Sequence, residues 1–254
     1  MSFTFQKNSK ILIIGGTHGN EYTGIDLVKY LQQNLIINVD QIIANLQASE
    51  LNLRFVETNL QLAFGVKYPI SSEELRAVEI SKILPNYDFI FDFHNTIDQN
   101  MTCGIVTCLP NDFQIQVCKI FGITKIIQFP PGNTLIGQNP EKSISIEISS
   151  SDMNLFKIEK LRQNIIDLQS NDYSLKSKQK IEQFKFIRTL PKSSFDRLFP
   201  KLGYLYNFLA LNQSQKKILN FPLKKDIYPV FRGAISHFTS GLMCSFVEKV
   251  EFEK

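Results

Sequence analysis

The chain has 254 residues, 43% hydrophobic and 20% charged, with a formal net charge of +4. That composition fits one large globular domain, or a main domain with an appendage, and excludes disorder over most of the length. No apolar run reaches the ~18 to 20 residues of a membrane helix and the first residues show no cleavage pattern, so a soluble, cytoplasmic protein is expected.

Lys10–Gly16 is a β-branched run closed by two glycines and reads as a buried strand. After the turn Thr17–Asn20, the segment Glu21–Gln33 carries Ile25, Leu27, Val28 and Leu31 at helical spacing. A second helix opens at Ser71, with Glu74 completing a capping box and Pro85 limiting its extension. Tyr87–Phe93 is a strand running into His94. Asn111–Phe121 reads as a helix stopped at Gly122, followed by a strand at Ile123–Phe129. Ser143–Ile148 alternates with period two, and Met153–Leu168 is an amphipathic helix. Strands separated by helices predict an α/β fold with a largely parallel sheet flanked by helices.

The texture changes near residue 170. Residues 1–170 carry a net charge of −4 and residues 171–254 carry +8. A polar stretch at 171–180 reads as a linker, and the alternating Cys244–Phe252 as a strand. The expected division is therefore a main domain over 1–170 and a small β-rich C-terminal domain over 171–254. The lysines of the basic part are scattered, so nucleic-acid binding is not expected. Cys103, Cys108, Cys118 and Cys244 form no CxxC pair and read as reduced thiols in or near the core.

Chemistry concentrates at two of the three histidines, His18 and His94, each placed at the carboxyl end of an expected strand. That edge of an open α/β sheet is where ligands bind. Glu21 follows His18 by three residues across a helix start, so His18, Glu21 and His94 form a His₂Glu set of the catalytic zinc type. A His-x-x-Glu spacing also arises by chance. Glu147, sharing a polar strand face with Ser145 and Ser149, suits an active site and a solvent-facing surface equally. Asp92 and Asn95 flank His94 and suit either orienting its ring or capping the strand.

Gly15–Glu21 (GGTHGNE) and Asp92–Thr96 (DFHNT) resemble the paired signatures of the aspartoacylase and succinylglutamate desuccinylase family, relatives of the zinc carboxypeptidases. An Arg54-containing segment between the motifs, a Glu-bearing strand at Ile144–Ile148 and the late run Tyr228–Phe231 follow the same order. The resemblance implies a zinc-carboxypeptidase-like sheet and one Zn²⁺ per chain, held by His18, Glu21 and His94. It makes Glu147 the general base and Arg54 the group that polarises the scissile carbonyl.

This chain departs from the family where the substrate is gripped. The family's Asp-Leu-Asn-Arg becomes Asn59-Leu60-Gln61-Leu62, so a carboxylate-clamping arginine is replaced by Leu62. A second substrate arginine falls near Gly137, a late tyrosine aligns with His237, and a glutamate before it becomes Ala234. Arg54, Asn95, Gln61 and His237 are the expected substrate contacts. The expected activity is a zinc-dependent deacylase acting on a small N-acyl amine, amide or ester less anionic than N-acetylaspartate. A non-catalytic metal- or ligand-binding descendant is the alternative. A small molecule is the expected partner, with no nucleic acid or membrane, and homo-oligomerisation is left open.

Overall fold

The computed structural model describes residues 8–96, 98, 101–149, 154–170, 180–232 and 242–250. Its strands form one nine-stranded sheet in the order β2-β1-β3-β6-β4-β5-β7-β9-β8. They are β1 Ile11–Gly15, β2 Val39–Ile43, β3 Phe89–Thr96, β4 Cys103–Val106, β5 Lys125–Gln128, β6 Ser143–Ser149, β7 Glu182–Pro191, β8 Ile227–Val230 and β9 Leu242–Val250. The pairs β1–β2, β1–β3, β3–β6, β4–β5 and β5–β7 are parallel, whereas β4–β6, β7–β9 and β8–β9 are antiparallel. The expected α/β architecture, a largely parallel sheet between helices with a strand-rich C-terminal part, is what the chain forms.

Alternation along the strands sorts the two layers. Ile11, Ile13, Phe91 and Phe93 point to a face covered by the helices α1 (Tyr22–Gln33), α4 (Asp112–Ile120) and α5 (Leu155–Ser170). Leu12, Ile14 and Ile90 point to the other face, against Phe64 and the helix α3 (Ser72–Ile83). The period of two is the pleat itself, and each face is fully buried because both are covered. Ser71 and Glu74 close α3 with the expected capping box.

β3 runs further than its sequence suggests. The strand expected to end at Phe93 continues through His94, Asn95 and Thr96 because β6 pairs alongside them as far as Thr96–Ser149. His94 therefore sits within the strand, two residues before its end. Beyond residue 180, β7, β9 and β8 continue the same sheet, while α6 (Lys192–Leu202) and α7 (Gln213–Ile218) enclose a cluster that includes Leu190, Phe195, Leu211 and Phe246. No helix among the described residues is long and apolar enough to cross a membrane.

Candidate active site

The carboxyl ends of β1, β3 and β6 lie side by side, and the site is built on them. β1 ends at Gly15, and the loop that follows carries His18 against the short helix α2 (Leu46–Glu50). The approach is close enough that a Cβ on Gly19 would stand 2.2 Å from the Ala48 carbonyl carbon, so only glycine fits. Glu21 is the N-cap of α1 but makes no side-chain cap. Asn95 Oδ1 instead accepts from the Thr23 N–H at 3.4 Å, which leaves the Glu21 carboxylate free to face the histidines.

Those contacts are short. His18 Nδ1 lies 2.8 Å from Glu21 Oε1, and His94 Nδ1 lies 2.8 Å from Glu21 Oε2. The two rings have centroids 5.1 Å apart. All three side chains are buried. Among the described residues, His18, Glu21 and His94 form a cluster whose ligand atoms lie within 4.8 Å of one another, able to hold a metal ion. The surroundings of the rings fit that role. His94 Nε2 is 2.7 Å from Asp92 Oδ2, and Asp92 is itself held by Thr17 Oγ1 at 2.7 Å and Ser145 Oγ at 3.2 Å. A carboxylate on one ring nitrogen fixes the orientation and raises the basicity of the other.

His18 is braced differently. Its Nε2 meets Arg54 Nη2 at 2.7 Å and Asn59 Oδ1 at 3.2 Å. When Nδ1 keeps its proton for Glu21, Nε2 accepts from Arg54. When Nδ1 faces a cation, the proton belongs on Nε2 and Asn59 is its acceptor. The site thus contains a partner for either tautomer.

Charge sets the ionisation of each group. Burial alone would lower His94, but Asp92 and Glu21 outweigh it and hold the imidazole well above its usual 6.5. Burial likewise would raise Glu21, yet His18 and His94 keep it well below 4.5. His18 is lowered, chiefly by burial and further by Arg54 and His94, with Glu21 opposing. Glu147 stands beside His94 in the β3–β6 ladder. Burial lifts its carboxyl to about 7, with Glu21 and Asp92 adding to the effect. Arg54, whose side chain is 10% exposed, donates to Glu21 Oε1 at 3.1 Å.

The remaining expected contacts are distributed around this centre. Asn95 contributes its backbone N–H to Glu21 Oε2 at 3.3 Å and spends its amide oxygen on Thr23. Gln61 donates its N–H to Asn59, while its Oε1 is buried with no protein partner. Leu62 is 61% exposed. A Cβ at Gly137 would meet the Gly132 carbonyl oxygen at 2.3 Å, so this backbone leaves no room for an arginine there. His237 and Ala234 lie outside the described residues. Asn59, absent from the sequence-based set of site residues, emerges as a direct neighbour of His18. The two sit 41 positions apart, and local periodicity carries no signal of that contact.

Comparison with known proteins accords with this geometry. The profile of the succinylglutamate desuccinylase/aspartoacylase catalytic domain matches residues 7–143. A probable aspartoacylase of Trichodesmium erythraeum (strain IMS101) is 32% identical over 191 residues, which make up 64% of this chain and 65% of that protein. An N-acyl-aromatic-L-amino acid amidohydrolase (carboxylate-forming) of Rattus norvegicus is 25% identical over 178 residues, 59% of this chain and 56% of the relative. The chain thus matches less than two thirds of the length of either relative. The crystal structure of a succinylglutamate desuccinylase from Chromobacterium violaceum shares the fold, with a TM-score of 0.74 at 17% identity over 98% of this chain and 87% of that one. The chain belongs to the succinylglutamate desuccinylase/aspartoacylase family.

Proposed function

We propose that this chain is a zinc-dependent amidohydrolase that releases an amine from a small N-acyl substrate less anionic than N-acetylaspartate. The observation that carries the reading is the convergence of His18 and His94 on the two oxygens of Glu21, with Glu147 in the next strand and Arg54 alongside. Zinc held by His18, Glu21 and His94 would supply Lewis acidity and a water acidic near pH ~7.

The chain's own groups account for the rest. Glu147, with a carboxyl near 7, takes a proton from the attacking water and returns it to the departing nitrogen. The acyl carbon gains the water oxygen and the C–N bond breaks, so the products are a carboxylic acid and an amine. Arg54 donates to the carbonyl oxygen as negative charge develops on it, where a buried guanidinium is worth most. Asp92 keeps the His94 ring in place throughout.

The substrate assignment rests on three positions. Leu62 offers no charge, Gly137 has no room for a side chain, and the unpartnered Gln61 Oε1 asks for a donor N–H instead of a carboxylate. The rat relative's name, an amidohydrolase of N-acyl-aromatic amino acids, shows that aromatic amine portions occur among relatives. The division into parts 1–170 and 171–254 also stands as a proposal, the second part walling one side of the site mouth. The test is hydrolysis of N-acetylphenylalanine amide set against N-acetylaspartate, with and without chelator. Turnover favouring the neutral amide, abolished by chelation and restored by zinc, is expected. Preference for N-acetylaspartate would overturn the substrate assignment, and chelator-resistant turnover would overturn the metal. Binding of zinc with no turnover of any acyl amine would favour the non-catalytic alternative.

A further inference from the structure

Glu73 lies outside the centre described above, yet it is 2% exposed and its carboxylate is filled from every side. Oε1 accepts from the Val56 N–H at 2.6 Å and from Asn45 Nδ2 at 3.3 Å. Oε2 accepts from the N–H groups of Glu57 at 3.2 Å and Thr58 at 3.1 Å, and from Ser72 Oγ at 3.0 Å. Three successive backbone N–H groups aimed at one point make an anion-binding nest, and here the anion is the protein's own side chain. Glu57 returns the contact, its Oε2 accepting from the Ser72 N–H at 2.7 Å.

The segment so gripped runs directly between Arg54 and Asn59. Its start is tied to the histidine loop by the Gly19 N–H to Arg54 carbonyl bond at 3.1 Å, and its end by the contact of Asn59 with His18. Asn45 joins the two anchors, since it also caps α2, the helix on which Gly19 rests. Without a fixed centre the segment would be a loop with free amides, and a guanidinium on it would sample many positions. We infer that Glu73 is the positioning residue of the site: by holding the amides of residues 56–58 it fixes where Arg54 and Asn59 meet His18. The burial of the carboxylate opposes ionisation, but the amides outweigh it and keep Glu73 below 4.5, so the grip is charged at neutral pH.

This inference rests on the role proposed for Arg54, and the experiment separates the two. Hydrogen exchange of the unaltered protein should show the amides of Val56, Glu57 and Thr58 strongly protected; rapid exchange there would overturn the inference whatever any variant does. Glu73→Gln should then expose those amides, leave zinc content unchanged, and lower kcat on N-acetylphenylalanine amide by about 100-fold with little change in KM. In the Arg54→Ala background, the same substitution should cost less than about twofold, because the arm it positions is gone. A full multiplicative loss in the double variant would mean that Glu73 acts through general stability, and full activity in Glu73→Gln would mean that it positions nothing. Should Glu73→Gln fail to fold, Glu73→Asp tests the same point, with a smaller loss that also vanishes in the Arg54→Ala background. If Arg54→Ala alone leaves kcat intact, the proposed chemistry fails, while protection of residues 56–58 would still stand.

Discussion

The two halves of the site are built on opposite principles. Around Glu21 every charge meets another: two imidazoles, a guanidinium and a second carboxylate at Asp92 lie within hydrogen-bonding reach in a closed network. The network reaches as far as Asn59, five positions on from Arg54, through its contact with His18, and stops there. Beyond it Leu60 is packed in the core, Gln61 has one acceptor without a protein partner and Leu62 is exposed. A buried charge is tolerated only when paired, so the first region permits little change without collapse. In the second region Gln61 and Leu62 are the positions where the proposed substrate would bind, and the exposed Leu62 can change at small cost to folding, whereas Leu60 is fully buried in the core. Under the proposed function, the contrast separates the groups that would break a bond from the positions that would select a substrate within one site.

The hardest blow to the first region is Glu147→Gln. It should lower kcat about 10²- to 10⁴-fold while leaving bound zinc in place, measured by turnover of N-acetylphenylalanine amide beside elemental analysis. Turnover within a few-fold of the parent would assign the base elsewhere. Next in size is Asp92→Asn, which keeps shape but removes the carboxylate behind His94. Zinc affinity by chelator competition should fall about 10- to 100-fold. An unchanged affinity would show that the ring is held by packing alone.

A smaller effect is expected from strengthening the second region. Gln61→Asn with Leu62→Arg should shift the ratio of kcat/KM toward N-acetylaspartate by about tenfold, a modest figure because position 62 is well exposed. No shift would mean that these positions do not face the acyl-amine substrate.

The smallest is a stability effect in zinc-free protein. Glu147 binds a proton more tightly folded, at about 7, than unfolded, near 4.5, so its contribution is present below pH ~4.5 and is lost as pH rises to about 7. Glu147→Gln should therefore flatten part of the fall in unfolding free energy across that window, as read by urea melts. A parallel pH profile in the variant would contradict the raised carboxyl.

Much of the first region was legible in the sequence, because local signals coincide there. A β-branched run ending in paired glycines gives β1, helical spacing gives α1, and Ser71 with Glu74 gives the start of α3. The elements that escaped are those whose stability comes from distant partners. β2 is a five-residue edge strand, Val-Asp-Gln-Ile-Ile, without clean alternation, and β4 is four residues containing a glycine. β7 forms between β5 and β9, so its register depends on chain segments on either side of it. Glu73 was equally hidden. In sequence it is an acidic residue in the first turn of a helix, where a carboxylate is favourable anyway. Its backbone partners lie 15 to 17 residues earlier, in a loop whose shape no periodicity describes.

In the proposed function the closed network around Glu21 is a metal centre. The most direct test is elemental analysis of the purified chain beside a His18→Ala/His94→Ala variant. About one zinc per chain, absent from the variant, is the expected result. Little metal in the parent, with none taken up on adding zinc, would contradict the account and leave the charged cluster as a structural knot.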